Sequence, residues 1–467
     1  MQLKDKYGDI RGALALAVCS TLHGTAHAAD EISDQWELDS AFLYYSEKDR
    51  VDVYEPVLFA SKQLSESESV TLHGVFDTMS GATPNGAIKS STAQTFTSAS
   101  GNAYTTTANE LPTMDFEDDR FEFGFEWDKN TSRQVKRTLG GNLSAEGDYS
   151  SLGGSLSYAF DSMDRMRTLS VGGGFSYDKV DPEGGTPTAF SLMSDDTTVS
   201  KTSTSNVDTI TASSGGSSSG GIGIGSGSGS SSSSSDGDSE DSEESSAFSL
   251  FDGERKLKAD LLLGVTQILS RQALMQLNYT LNLSDGYLND PYKVVSLVDS
   301  SGEPTDAVFE KRPDQRAGNA LLWKLVYHLP RDVMHLSYRY YWDDWGIKSH
   351  TADLSYRMAL WGDNYLQPHI RYYNQTKADF YYSALSDSTT LPDYATADYR
   401  MAEMTSTTAG LKLGIPTGAH GEWSLRAEVM KQRGTGYLPD TVTGLAEDDL
   451  FPDLDAIIFQ ISYTEDF

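Results

Sequence analysis

Cysteine, long apolar runs and positive charge are all scarce in this sequence, and each scarcity excludes a class of protein. Cys19 is the only cysteine among 467 residues, so neither a disulfide framework nor thiolate chemistry is expected. No run of 18 or more apolar residues occurs beyond the N-terminal segment, which argues against membrane-spanning helices. Asp and Glu outnumber Lys and Arg by 68 to 36, giving a net charge of −32, and an acidic surface does not attract nucleic acid.

Catalytic and cofactor motifs are also missing. The sequence has no nucleophile elbow, no His-Glu-x-x-His zinc motif and no Gly-rich nucleotide-binding turn. Its eight histidines show no metal-ligand spacing. We therefore expect no enzyme activity, no cofactor and no metal site.

Residues 1–28 are predicted to be a cleavable secretory signal. A basic start precedes an apolar centre at residues 12–22 and the small-x-small pattern Ala-His-Ala at residues 26–28. Cys19 follows Leu-Ala-Val, which is a poor match to a lipoprotein box. The expected mature chain, residues 29–467, would be exported and would contain no cysteine.

The main positive signal is an alternation of large apolar residues with polar or small ones. In residues 120–127 every second residue is Phe or Trp, and the closing residues 455–467 repeat the pattern and end in Phe467. A period of two predicts strands with two different faces. A closing strand of this kind is typical of bacterial outer-membrane barrels, in which the terminal aromatic is part of the signal that the barrel-insertion machinery recognises.

Sixteen strands of this type are predicted. They lie at or near residues 35–46, 51–62, 69–78, 120–127, 136–146, 152–160, 169–177, 255–269, 273–284, 318–329, 333–343, 349–360, 365–380, 401–415, 421–433 and 455–467. The second and fourteenth are weakly patterned, which leaves the strand number open by about two.

The predicted connections differ in length between the two sides of the sheet. All the long ones (79–115, 179–253, 285–317, 381–400 and 434–454) fall on one side, and those on the other side are short. One-sided loops and an even strand number are typical of outer-membrane barrels, since a membrane tolerates no unpaired strand edge. The predicted fold class is therefore all-β, a transmembrane antiparallel β-barrel of about 16 strands with long extracellular loops.

One extracellular insert, at about residues 191–246, is predicted to be disordered. Residues 213–246 are almost entirely Ser and Gly and end in an acidic run, and such a segment buries too little apolar surface to offset its ordering entropy. The acidic run lacks the ligand spacing of a calcium loop, so a solvated tether is the favoured interpretation over a cation site.

If the apolar residues face lipid, the residues between them face the lumen. Along the last strands these lumen-lining candidates are rich in cations: Lys324, His328, His335, Arg339, Asp353, Arg357, His369, Arg371, Lys412, Arg426 and Glu428. They predict either a pore that prefers anions or a salt-bridge lattice that braces a closed barrel, and the sequence favours neither.

Aromatic residues also cluster near the expected outer mouth, at residues 340–345, 372–373 and 381–382 and at Tyr287 and Tyr292. They predict an interfacial aromatic girdle in preference to a ligand-stacking site.

Several stretches resemble a family of Gram-negative outer-membrane proteins whose function is unknown. The stretches are residues 77–84, 144–150, 263–271, 285–293, 312–316, 338–347 and 371–381, and the insert departs from the family pattern. The resemblance implies an outer-membrane location and a barrel, and it carries over no activity, cofactor or catalytic residue.

The function predicted from the sequence is a channel or transporter for small solutes, which would be anionic if the cationic residues of the lumen stay unpaired. The alternative is a non-conducting structural or assembly barrel whose extracellular loops bind a partner. In either case the expected partners are outer-membrane lipid, lipopolysaccharide and the barrel-insertion machinery, which would recognise the strand ending in Phe467.

Overall fold

The chain forms a closed, sixteen-stranded antiparallel β-barrel with a folded cap over one end. The computed structural model describes residues 36–193, 253–418, 421–442, 444–447 and 450–465. Its strands are β1 (Trp36–Glu47), β2 (Val51–Ser65), β3 (Glu68–Pro84), β4 (Gln94–Thr97), β5 (Ala103–Thr106), β6 (Thr113–Ser132), β7 (Val135–Ala145), β8 (Tyr149–Asp161), β9 (Arg167–Val180), β10 (Glu254–Ser270), β11 (Ala273–Gly286), β12 (Val294–Val298), β13 (Pro304–Phe309), β14 (Gln315–His328), β15 (Val333–Asp343), β16 (Lys348–Ala359), β17 (Tyr365–Gln375), β18 (Ala384–Ser386), β19 (Glu403–Thr417), β20 (Gly421–Thr435) and β21 (Leu454–Glu465).

Sixteen of these strands make the barrel, and β4, β5, β12, β13 and β18 belong to the cap. Consecutive barrel strands pair with each other, and β1 pairs with β21 to close the ring. Closure satisfies the backbone hydrogen bonds of every strand, so the barrel has no open edge. The predicted fold class is confirmed.

The barrel strands have an apolar outer face, and most of their polar and charged residues lie on the inner face. On β6, Phe121, Phe123 and Phe125 are 51%, 38% and 39% exposed, whereas the inward Arg120 is only 9% exposed. The shortest barrel strands have 11 residues, which is long enough for a tilted strand to cross a bilayer. Among the described residues no helix is long and apolar enough to do so.

The two ends of the barrel differ in the length of their connections, as predicted. At one end, the turn end, each connection between strands has only a few residues, for example between β2 and β3. At the other, the loop end, five connections are long: 85–112, 181–253, 287–314, 376–402 and 436–453.

The described parts of the five long connections fold together, and we call this unit the cap. Strand β12 pairs with β13 on one side and with β18 on the other. The backbone of Leu192 bridges to that of Val308, so residues 191–193 extend the same sheet. Val295, Val298 and Val308 are fully buried within it, which shows that the cap has an apolar core of its own.

Two predicted loops are wrong in part. The stretch 79–115 was expected to be irregular, but β3 continues to Pro84, β6 begins at Thr113, and β4 and β5 form a hairpin between them. The stretch 285–317 contains β12 and β13. Their apolar residues pack within the cap, so they lack the lipid-facing alternation from which the other strands were predicted.

Two predicted ends also need correction. The thirteenth strand was predicted to reach residue 380, but β17 ends at Gln375. Phe380 continues the apolar pattern because it is buried in the cap. The insert was predicted from residue 191, yet residues 191–193 pair with β13. The rest of the insert, the predicted signal at 1–28 and Phe467 lie outside the described residues.

Candidate functional site: the lumen wall and the cap

The register of the barrel places all eleven candidate residues on its inner side. Each alternates with residues whose side chains are exposed on the outer face. For example, His369 and Arg371 flank Ile370, which is 50% exposed, and Lys412 follows Leu411, which is 51% exposed. The six Lys and Arg residues lie on β14 to β20, and we call them the basic wall: Lys324, Arg339, Arg357, Arg371, Lys412 and Arg426.

One group on this wall is a salt-bridge brace. His369 on β17 contacts Asp353 on β16 through Nε2 and Glu428 on β20 through Nδ1, each at 2.8 Å. The contact with Glu428 crosses β19, where Gly410 is paired with both residues. A Cβ at Gly410 would lie 2.4 Å from Cγ of Glu428, so glycine leaves the space that the contact needs.

Most cations of the basic wall are not braced in this way. Arg426 Nε is 3.9 Å from Glu428 Oε1. Among the described residues, four of these cations have no Asp or Glu oxygen within 4.0 Å: Lys324, Arg357, Arg371 and Lys412. The predicted salt-bridge lattice therefore describes the part of the wall around His369, and the predicted set of unpaired cations describes the rest.

An acidic wall faces the basic wall across the lumen, and the sequence analysis missed it. Strands β3 and β6 lie eight positions round the ring from β15 and β16. The charged inward residues of β1, β2, β3 and β6 are mainly acidic, and we call the following set the acidic wall: Asp39, Glu55, Glu122, Glu126 and Asp128. Ordering the predicted strands around a ring would have revealed this separation of charge.

The acidic wall has fewer cations, and these are engaged. Arg120 forms an ion pair with Asp77 and lies 3.6 Å from Glu122. Lys136 Nζ lies 3.1 Å from Asp128. The lumen is thus negative on one side and positive on the other.

The aromatic cluster predicted at the outer mouth divides into two groups. Tyr340 and Trp342 stack on each other at 5.2 Å on the outer face of β15, and Tyr372 is 49% exposed on β17, as in an aromatic girdle. Trp345 and Tyr381 are instead buried in the core of the cap. The predicted girdle thus accounts for only part of the cluster.

A buried network of six charged residues holds the cap together. It contains three cations and three carboxylates, and the most exposed member has only 8% of its side chain exposed: Asp290, Lys293, Glu310, Arg312, Asp398 and Arg400. The equal number of each sign offsets much of the cost of removing the charges from water.

Asp398 is the centre of this network. It accepts hydrogen bonds from Arg312 Nη2 at 2.8 Å and from Arg400 Nε at 2.7 and 2.8 Å. Burial would raise the pKa of Asp398, but the nearby Arg400 and Arg312 outweigh burial and hold the pKa below its ordinary value. The carboxylate therefore stays ionised with no exposure to water.

Two other members are destabilised in their charged forms. Burial raises the pKa of Glu310 to about 7 and lowers the pKa of Lys293 to about 8. Glu310 accepts from Thr396 Oγ1 at 2.5 Å, and Lys293 donates to the carbonyl oxygen of Pro84.

These contacts tie the cap across the barrel mouth. The connection 287–314 begins at β11, which lies six positions round the ring from β3. It nevertheless reaches the end of β3, where the backbone N–H of Val294 donates to the carbonyl of Asn85 at 2.9 Å. Arg50, at the β1–β2 connection, lies 5.7 Å from the ring centroid of Tyr399. The cap is thus anchored on several sides of the loop-end rim.

Three carboxylates at the rim come close to one another without clear evidence of a metal site. Oxygen atoms of Asp118, Glu146 and Asp148 lie within 4.8 Å of each other. Asp148 accepts from the hydroxyl of Tyr292 at 2.8 Å. Exposed acidic groups often meet in this way without an ion, and we assign none.

Comparison with known proteins places the chain in a family. The family model described as "Protein of unknown function (DUF3570)" matches residues 11–465. The chain belongs to this family. None of the curated proteins matches it.

Solved structures with a similar outline are outer-membrane proteins of low sequence identity. A bacterial polysaccharide outer membrane secretin is 8% identical, with 93% of this chain and 100% of that chain covered at a TM-score of 0.41. OprD of Pseudomonas aeruginosa is 9% identical, with 94% and 97% covered at 0.37. The CymD monoaromatic hydrocarbon channel is 7% identical, with 93% and 89% covered at 0.37.

The structure explains several of the stretches that resembled the DUF3570 family. Residues 285–293 and 312–316 supply three members of the cap network: Asp290, Lys293 and Arg312. Within 338–347, Asp343 accepts from Arg316 Nη2 at 2.7 Å and from the backbone N–H of Ile347 at 2.9 Å. These stretches hold the cap and the rim together, so they carry structural roles in this member of the family.

Proposed function

We propose that the protein is an outer-membrane β-barrel that passes small solutes through a polar lumen, with the cap controlling access at the loop end. The membrane location is supported by the continuous apolar outer face of the barrel. Such a surface is unfavourable in water and matches the hydrocarbon layer of a bilayer. Export by the predicted signal at 1–28 and insertion through the strand ending in Phe467 belong to the same proposal.

The observation that carries the channel proposal is the exposure of charged side chains inside the ring. The Arg426 side chain is 42% exposed and that of Asp353 is 30% exposed, so water reaches the lumen wall. A packed structural barrel would bury these groups. A ring of sixteen strands is also wide, about 30 Å between backbones.

Preference for anionic solutes is the finer part of the proposal. Among the described residues, four cations of the basic wall have no carboxylate oxygen within 4.0 Å, and rings of Arg and Lys favour anions in pores. We propose no catalytic role. His369 has both ring nitrogens engaged by carboxylates, which leaves neither nitrogen to activate a nucleophile.

Single-channel conductance in a planar bilayer, under a salt gradient, tests both the channel and its preference for anions. The purified protein should conduct with a preference for anions, and Arg339→Glu with Arg371→Glu should reverse the sign of the reversal potential. A matched control is Arg137→Glu on the outer face, near Trp127, which should leave selectivity unchanged. A folded barrel that never conducts, at any voltage, would refute the channel.

The second candidate is a non-conducting barrel whose loops bind a partner, and the cap favours it. Five connections combine into one folded unit with a buried core. A lid that must open would rarely need six buried charges to hold it shut. Capture of a specific surface partner by the intact barrel, lost when the cap is altered, would support this candidate over the first.

A further inference from the structure

The turn end of the basic wall holds a compact group of cations around one aromatic ring. Arg357 Cζ lies 3.6 Å from the centroid of the Tyr365 ring, and Lys412 Nζ lies 5.8 Å from it. The two charge centres are therefore at most 9.4 Å apart, the sum of these distances. Arg426 is close enough to interact electrostatically with both Lys412 and Tyr365. We call Arg357, Tyr365, Lys412 and Arg426 the turn-end cluster.

The local sequence makes room for this arrangement. Tyr365 is paired with Gly414 on β19. A Cβ at Gly414 would lie 2.0 Å from Cε1 of Tyr365, so the ring can lie flat against the wall only because this residue is glycine. The ring then supports the cations from one side, as aromatic faces do.

The carboxylates near the cluster are each engaged by another group, although Glu422 also interacts electrostatically with Lys412. Glu422 Oε1 accepts a hydrogen bond from the Tyr365 hydroxyl at 2.6 Å, which turns it towards the phenol. Glu428 lies 3.9 Å from Arg426 but is held at 2.8 Å by His369. Neither Arg357 nor Lys412 has a carboxylate within 4.0 Å among the described residues. Like charges held this close repel each other, and a bound anion would relieve the repulsion.

Most of the acidic wall is too far away to serve as the missing counter-charge. Glu122, Glu126 and Asp128 lie on β6, at least five strand positions round the ring from the cluster, whereas Asp39 on β1 lies two positions from Arg426 on β20. Mobile salt screens charges over about 8 Å at physiological ionic strength. The cluster is therefore a local positive site.

We propose that the turn-end cluster is a binding site in the lumen for a solute that carries two or more anionic groups. The planar guanidinium groups of Arg357 and Arg426 can each bind phosphate or carboxylate through two N–H donors, and Lys412 adds a third positive charge between them. The site deepens the proposed channel function, because it gives a substrate class to the lumen, and it rests on that function for its biological role.

Isothermal titration calorimetry on the purified barrel in a neutral detergent tests the site directly. The probes are pyrophosphate and citrate, and their two arms distinguish phosphate from carboxylate recognition. Saturable binding of either probe, weakened at least tenfold by Arg357→Gln with Lys412→Gln, is the expected result. Tyr365→Phe keeps the ring but releases Glu422 from the phenol hydroxyl, so a smaller loss of affinity than in the double variant is expected. The outer-face control Arg137→Gln should bind as the unaltered protein does, and heat-modifiable electrophoretic mobility checks that each variant is folded.

The outcomes separate this site from the channel. No binding of either probe, or equal binding by the double variant, would overturn the site even if the barrel conducts anions. Binding without any conductance would leave the site standing and would refute the channel.

Discussion

Replacing Asp398 by Asn is the sharpest test of how the cap is held in place. The substitution keeps the size of the side chain and removes one negative charge from the buried network. Asp398 is fully buried and contacts both Arg312 and Arg400. Three buried cations would then face two carboxylates.

The expected loss of cap stability depends on the carboxylate partners that Arg312 and Arg400 retain. Breaking a buried ion pair by removing one partner costs about 3–5 kcal/mol, because a charge is left without compensation. Here Arg312 keeps Glu310, with Nε 2.7 Å from Oε1, and Arg400 keeps Asp290 at 2.6 Å. Since neither arginine loses its last partner, we expect the low end of that range, about 3 kcal/mol.

The loss of stability should be confined to the cap, and the barrel should stay folded. Hydrogen exchange of the amides in 376–402 reports the local opening free energy, and amides of the barrel strands provide an internal reference. Asp393→Asn, an exposed change in the same connection, is the matched control and should have no effect. Adding Arg312→Gln to Asp398→Asn should restore part of the protection, because it rebalances the charges. Unchanged protection in Asp398→Asn would refute the view that this network holds the cap.

Two further predictions follow from the same structure. Because burial raises the pKa of Glu310 from its ordinary 4.5 to about 7, the folded cap holds a proton that the unfolded chain releases between those values. The opening free energy of the cap, measured by hydrogen exchange, should therefore fall as pH rises from 4.5 to 7. Glu310→Gln should abolish this pH dependence, and a pH dependence that persists in the variant would contradict the prediction. On the outer face, Phe123→Arg should cost about 2–4 kcal/mol in denaturant unfolding from bilayers. The lumen-facing Asn142→Arg should cost far less, and equal losses would contradict the assignment of the two faces.

The barrel could be predicted from the sequence because the alternation of apolar and polar residues is visible within each strand alone. Alternation along residues 120–127 assigns both faces of β6 without knowledge of any other strand. The cap could not be predicted in this way. Its six-charge network joins Lys293, Glu310 and Asp398 from two distant connections, and a buried charge has no periodic signature. No pattern in residues 285–293 and 312–316 marks their charged residues for burial.

Together, the walls of the lumen and the cap favour a channel that opens when the cap moves over a permanently open pore. The basic wall, the acidic wall and the turn-end cluster all line a lumen that water reaches, yet the loop end is spanned by the cap. A solute entering from the turn end would meet the turn-end cluster first, whereas one entering from the loop end would need the cap to move. Under the proposed function, the cap's stability would therefore set how often a solute can pass. If Asp398→Asn loosens the cap as expected, the frequency of conducting openings should rise while ion selectivity stays constant, because the basic wall is unchanged. A change in selectivity without a change in opening frequency would mean that the cap lines the conducting path and does not gate it.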